Sequence, residues 1–228
     1  MPSKLENLGK MKESWVILAL DYAISPNTLG EWRKLLQELS SRLAGVKIGL
    51  PAFLRLGPQG VSNLIEDFGN ELYFLADFKL ADIEDVVTEE LNILEEIGFD
   101  GAIIHLFPHC ITKPLRTKLE VFGLVSMTCT GSLVDEHSDN LAEYAASLGI
   151  KGVVVGATKP ERIRKVREKL KQVLILSPGV GVQGAPPGSA IRAGADFEIV
   201  GRAVVLSPDP SRELERIVEA QRVARYAR

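Results

Sequence analysis

Between Phe74 and Ile83 the chain reads F-L-A-D-F-K-L-A-D-I, an apolar run interrupted by Asp77, Lys79 and Asp82. A charge in a low-dielectric interior is expensive unless it is paired, so packing alone gives no reason for these residues. Residues two apart in an extended segment face the same side, which sets the Asp77 carboxylate beside the Lys79 ammonium. An ammonium flanked by carboxylates stays protonated and stands ready where negative charge develops in a reaction. A second cation, Lys47, sits in the apolar run V-K-I-G-L, and a further carboxylate, Asp21, closes W-V-I-L-A-L-D. Taken singly, Asp82 also reads as a helix-capping carboxylate, Asp21 as a turn residue and Lys47 as a strand-end cation in solvent. As a set, Lys47, Asp77, Lys79 and Asp82 bring a desolvation cost with no gain in packing.

The elements that must position this set recur along the whole chain. Short runs rich in Val, Ile and Leu occur at 15–20, 46–50, 72–76, 102–105, 121–125, 152–155, 173–176 and 197–200. They are continuous more often than alternating, the pattern of parallel strands buried on both faces. The gaps carry helical periodicity: Ile83, Val86, Val87, Leu91, Leu94 and Ile97 form one stripe, and from Asn27 onward Leu29, Trp32, Leu35, Leu36, Leu39 and Leu43 form another. Pro160 and Pro210 fall at first helical turns, and Gly98 and Gly149 follow helical runs as stops. Eight strand–helix units in one chain of 228 residues predict a single (β/α)8 barrel domain over 1–228, with residues 1–13 as a polar lead-in. A doubly wound open sheet is the competing arrangement, and it would leave unprotected strand edges.

A barrel places its chemistry at the C-terminal ends of the strands. Asp21, Lys47, Asp77, Lys79 and Thr128 all fall at or near such ends. The seventh strand runs into S-P-G-V-G-V-Q-G over 177–184 and the eighth into Gly201-Arg202. Glycines 179, 181 and 184 allow close approach of backbone N–H groups to an anion, Gln183 adds a donor, and Arg202 can grip a phosphate bidentately. A phosphorylated ligand is the expectation. His105, in the fourth run, reads either as a residue reaching the barrel mouth or as a polar group satisfied within a packed strand.

Bulk composition narrows the partners. A formal net charge of −3 gives no basic footprint for nucleic acid or an anionic membrane. No window approaches ~20 consecutive apolar residues and the N-terminus lacks a signal-peptide core, which predicts a cytoplasmic protein. Cys110 and Cys129, the two cysteines, have no metal-finger spacing and read as reduced thiols.

The segments L-A-L-D, V-K-I-G-L-P, A-D-F-K-L-A-D-I, S-P-G-V-G-V-Q-G and I-V-G-R together resemble the orotidine 5′-phosphate decarboxylases, in the short form without a fused phosphoribosyltransferase. The D-x-K-x-x-D element is shared with magnesium-dependent sugar-phosphate decarboxylases and synthases. Those relatives carry an acidic residue on strand two where this chain has Lys47, so the resemblance favours the metal-free reaction. It implies decarboxylation of orotidine 5′-phosphate to UMP by a homodimer, with no cofactor and no metal. By the same resemblance, Lys79 protonates C6, Asp77 lies beside the substrate carboxylate, and Lys47 and Asp82 complete an alternating charge network, Asp82 reaching into the partner's site. Asp21 and Lys47 bind ribose hydroxyls, Thr128 holds the pyrimidine edge, and Gln183 and Arg202 take the phosphate. Ile83, Pro178 and Gly201 complete the substrate contacts. The chain departs from many relatives where Glu84, Asp85 and Val86 stand in place of a Pro-x-Thr that contacts ligand from the second subunit, leaving Thr88 as the substitute hydroxyl. Thr128 replaces the usual serine, and Cys129-Thr130 a common His-Pro.

Overall fold

A computed structural model of the protein describes residues 2–21 and 28–227, so Asn27 lies outside the described residues. The strands are β1 (Val16–Leu20), β2 (Gly45–Gly49), β3 (Tyr73–Leu80), β4 (Gly101–His105), β5 (Glu120–Leu124), β6 (Gly152–Val154), β7 (Leu174–Val180) and β8 (Phe197–Val200). Each pairs in parallel with its neighbours in sequence, and β8 closes on β1. Around them lie α1 (Lys4–Lys12), α2 (Leu29–Leu39), α3 (Leu50–Phe68), α4 (Glu84–Ile97), α5 (Leu133–Glu136), α6 (Ser138–Ser147), α7 (Pro160–Lys169), α8 (Ser189–Ala193), α9 (Arg202–Val205) and α10 (Pro210–Tyr226). All eight predicted runs are strands of one closed (β/α)8 barrel; the open sheet is not adopted. No helix among the described residues is long and apolar enough to cross a membrane.

The two-faced burial behind the continuous apolar runs is visible in two clusters. Ile17, Leu75, Ile103, Phe122, Leu174 and Phe197 point into the barrel, while Leu18, Phe74, Ile104, Val153, Ile175 and Val200 face the helices. Glycines make room for the interior rings: a Cβ on Gly101 would lie 2.2 Å from the Tyr73 hydroxyl, and one on Gly152 would lie 2.8 Å from the Phe122 ring. The starts predicted at Pro160 and Pro210 hold, with Asp209 accepting from the Arg212 N–H, and Gly98 ends α4 in the left-handed region at φ 105°.

Two departures from the expected pattern have local causes. The β4–β5 connection, residues 106–119, carries no helix, because Pro108 and Pro114 interrupt a stretch too short to hold one between them. The polar lead-in is a helix: in α1, Ser3 accepts from the Glu6 N–H at 3.2 Å while its own N–H donates to Glu6 at 2.8 Å, a reciprocal cap. The helix buries Leu5 and Leu8 against Trp15 and the barrel-interior cluster, closing the end opposite the catalytic rim. Its polar face is tied down as well, Lys4 pairing with Asp100 at 2.6 Å and Lys12 donating to the Ser40, Leu43 and Glu71 carbonyls. Truncating the fully buried Leu5 to alanine is expected to destabilise the fold by about 2–5 kcal/mol in urea unfolding. An unchanged midpoint would mean that α1 is not part of the cooperative unit.

Candidate active site

The centre of the barrel mouth is the Asp77 carboxylate. One oxygen lies 2.9 Å from the Lys47 ammonium and the other accepts from Lys79 at 2.6 Å. Lys47 also donates to Asp21 at 3.4 Å, so cations and anions alternate along Asp21, Lys47, Asp77 and Lys79. Lys47 and Asp77 keep only 7% and 11% of their side-chain surface, whereas Lys79 keeps 37% and faces open space. Burial alone would strip Lys47 of its proton, but the Asp77 and Asp21 carboxylates outweigh it and hold its pKa above the ordinary lysine value. Burial would likewise protonate Asp77; Lys47 and Lys79 overcome it and hold the carboxyl below the usual aspartate value. Lys47 and Asp77 therefore hold each other in the charged form.

The backbone under this arrangement is not the plain extended segment expected from the spacing. β3 continues past Ala76 to Leu80, its register against β4 shifts between those residues, and Lys79 sits in the left-handed region at φ 51°. A bulge with one residue in a costly conformation aims the ammonium back onto Asp77.

These side chains open on a cavity of about 240 Å³ lined also by Thr128, Pro178, Gln183, Gly201 and Arg202. Gly179 (φ 109°), near the end of β7, packs between the loops after β5 and β7: a Cβ there would lie 2.9 Å from the Thr128 methyl and 3.2 Å from the Gln183 amide oxygen. Glycines 179, 181 and 184 all take positive φ, as a tight anion loop requires, although the Gly181 and Gly184 N–H groups are engaged within the loop at 2.8 Å each. Asp82 and Ile83 are the two expected site residues that lie outside this cavity. Helix α4 begins at Glu84 with Ile83 as N-cap, so Asp82 is not the capping residue; it accepts from the Ile83 N–H at 2.7 Å and is exposed. Among the described residues Asp82 has no cation partner, and its charge helps raise the pKa of Glu90, whose shift comes first from burial.

A family model described as "Orotidine 5'-phosphate decarboxylase / HUMPS family" matches residues 14–217. The chain belongs to this family. Similar curated members are the orotidine 5′-phosphate decarboxylases of Sulfurisphaera tokodaii, 35% identical over 91% of this chain and 95% of the relative, and of Aeropyrum pernix, 38% identical over 90% and 87%. Among solved structures, the orotidine 5′-monophosphate decarboxylase of Metallosphaera sedula superposes with a TM-score of 0.80 at 36% identity, covering 92% of this chain and 99% of that one.

Against that family background, several features escaped the sequence reading. The cavity floor is apolar, made of Ile103, Leu124, Val154 and Ile199, whose positions in strand runs look like any other packing residue. Ser126 is fully buried yet lines the cavity. His105 ends β4 with a buried Nδ1 that has no hydrogen-bond partner among the described residues, so it does not read as a satisfied core histidine; burial first, then the Lys79 charge, lowers its pKa. Thr88 does not supply a free hydroxyl, since it donates to the Glu84 carbonyl within its own helix at 2.7 Å. Glu84 itself accepts from the Thr112 N–H and hydroxyl, each at 2.7 Å, and pins the β4–β5 connection.

The depressed Asp77 value contributes stability above the unfolded carboxyl pKa that is lost as pH falls through the folded one; the raised Lys47 value contributes stability lost only as pH rises through its own. A ¹³C titration of the Asp77 carboxyl is expected to give a midpoint below the ordinary aspartate value, moving upward in Lys47→Met. An identical midpoint in the variant contradicts this electrostatic account.

Proposed function

We infer that this chain decarboxylates orotidine 5′-phosphate to UMP and CO2, the last step of de novo pyrimidine nucleotide biosynthesis, and does so with its own charges as the only catalytic groups. The observation that carries the reading is the buried Asp77 carboxylate held between Lys47 and Lys79 at the cavity. Loss of CO2 from C6 leaves an electron pair in the ring plane that cannot delocalise into the π system. Fixed charges must then lower the barrier by an amount on the order of 20 kcal/mol, toward the upper part of the enzymic range.

In this reading the substrate carboxylate lies against Asp77 and over the apolar floor, and Lys79 delivers its proton to C6 as the bond breaks. Lys47 keeps Asp77 ionised and, with Asp21, takes the ribose hydroxyls. Thr128 reads the pyrimidine edge, while Pro178 and Gly201 shape the pocket. Gln183 and Arg202 bind the phosphate, and that remote binding orders the loop and excludes water. The magnesium-dependent alternative is not supported by the relatives named above. The Lys47 ammonium already occupies the space between Asp21 and Asp77 that a divalent cation would need.

The active form in this reading is a homodimer with Asp82 lent to the partner's site. Asp82 is exposed, unpaired with any cation among the described residues, and beside Ile83 and Val86, 56% and 40% exposed. Leu50 and Leu54, in the helix that follows β2, and Phe107, just after β4, are also exposed, on the connections that follow the two strands flanking β3.

Turnover of orotidine 5′-phosphate in excess EDTA, followed by loss of the orotate absorbance, tests the reading; activity abolished by chelation or never present contradicts it. Lys79→Ala is expected to lower kcat by at least about 10³-fold while UMP still binds. Lys79→Ala and Asp82→Asn, each inactive alone, are expected to regain activity when their subunits are mixed, because one site of the mixed dimer then carries both native residues. Failure of two folded, mixed dimers to regain activity would place Asp82 in its own chain's site or in none.

A further inference from the structure

The segment that carries Thr128 has no secondary structure of its own. After β5 ends at Leu124, residues 125–130 are irregular, and their backbone polar groups need partners from outside. Those partners come from two places. Val125 and Ser126 donate to the Val154 carbonyl at 3.0 and 3.2 Å, continuing the barrel pairing. Beyond Ser126 the fastening passes to the connection between β6 and α7. Thr158 donates its hydroxyl to the Thr128 carbonyl at 3.1 Å, and Lys159 donates its ammonium to the Cys129 carbonyl at 2.7 Å. The same connection reaches the far side of the cavity, with the Ala157 N–H donating to the Pro178 carbonyl at 2.7 Å.

One carboxylate ties these bonds together. Asp135, in α5, accepts from the buried Ser126 hydroxyl at 2.5 Å through one oxygen and pairs closely with Lys159 through the other, with Arg162 3.9 Å away. Its side chain keeps 11% of its surface and that of Lys159 22%, so both charges are largely withdrawn from water. Neither residue lines the cavity. A half-buried ion pair of this kind adds little net stability compared with apolar side chains of the same size, but it fixes geometry. Here the geometry is that of Ser126 and Thr128, which do line the cavity.

We propose that Asp135 and Lys159 are positioning residues for the decarboxylation: their ion pair holds segment 126–130 at the register in which Thr128 meets the pyrimidine, without touching substrate. This inference rests on the orotidine 5′-phosphate reading given above. It assigns the pair to the pyrimidine half of the site only, because the phosphate residues Gln183 and Arg202 are carried by the loop after β7 and the start of α9.

That division supplies the test. Lys159→Met removes the charge and both hydrogen bonds with a chain one atom shorter, and Asp135→Asn removes the charge at constant size. For each variant, kcat/KM with orotidine 5′-phosphate and the affinities for UMP and ribose 5-phosphate are measured, together with the thermal midpoint. The expected result is a fall of about 10²-fold in kcat/KM and a tenfold weaker UMP affinity, with ribose 5-phosphate changed by less than about twofold. Parallel weakening of both ligands marks a merely structural role and overturns the inference, as does UMP affinity left unchanged in a folded variant. If one variant does not fold, the other decides on the same criteria. A wild-type protein that binds UMP but does not turn over orotidine 5′-phosphate overturns the underlying reading, and this inference with it; an active wild type beside unaffected variants overturns this inference alone.

Discussion

Everything at the barrel mouth depends on one carboxylate held between two ammonium groups. Asp77, buried in the middle of β3, touches Lys47 and Lys79 at 2.9 and 2.6 Å. Replacing such a group by apolar side chains of equal volume would be neutral or stabilising for an ordinary core. The chain instead keeps it, bends β3 through a bulge to complete it, and holds Lys79 at a positive φ that costs energy. Strain and desolvation concentrated at the same few residues are the signature of a site whose charges are arranged before substrate arrives.

The closed parallel barrel makes this possible by geometry. Adjacent strands set Gly49 opposite Asp77, so Lys47, two residues earlier on β2, projects into the same interior as Asp77. The interior beneath is filled by large side chains, with α1 packed at the far end, and the charges therefore sit above an apolar floor. In that setting a fixed ammonium is worth more to a developing carbanion than it would be in water. The segments after β7 and β8 line the same cavity as the charge quartet, and in the proposed reading they bind the phosphate while the quartet carries the chemistry.

Much of this was legible in the residues. Strands buried on both faces write themselves as unbroken Val, Ile and Leu runs, and Asp77, Lys79 and Lys47 stood out because they broke such runs. What was hidden had physical reasons. The strand-like appearance of residues 72–76 gave no sign of a bulge at 77–79, because a left-handed lysine has no spacing signature. Helix α1 carries a sequence signal in Ser3-x-x-Glu6, a reciprocal cap, but with only Leu5 and Leu8 as its buried leucines the segment reads as a polar lead-in. Two prolines removed the helix expected between β4 and β5. The ties of Asp135 to Ser126 and Lys159 join residues 9 and 24 apart, and only the folded barrel brings them together. Asp82 lies apart from the cavity in the single chain, and no spacing in the sequence could tell which cavity its carboxylate serves.

The central claim is that Lys79 delivers a proton to carbon 6 of the pyrimidine from a position fixed by Asp77. By microscopic reversibility the Lys79 amine left after proton delivery must also remove the C6 proton of bound UMP, and the resulting ammonium, once its N–H groups exchange with solvent, returns deuterium to C6. Proton NMR of UMP incubated in D2O with the wild-type protein and with folded, UMP-binding Lys79→Ala is the direct measurement. The account predicts loss of the C6 proton signal with the wild-type protein alone; equal exchange with the variant, or none with either, would contradict it.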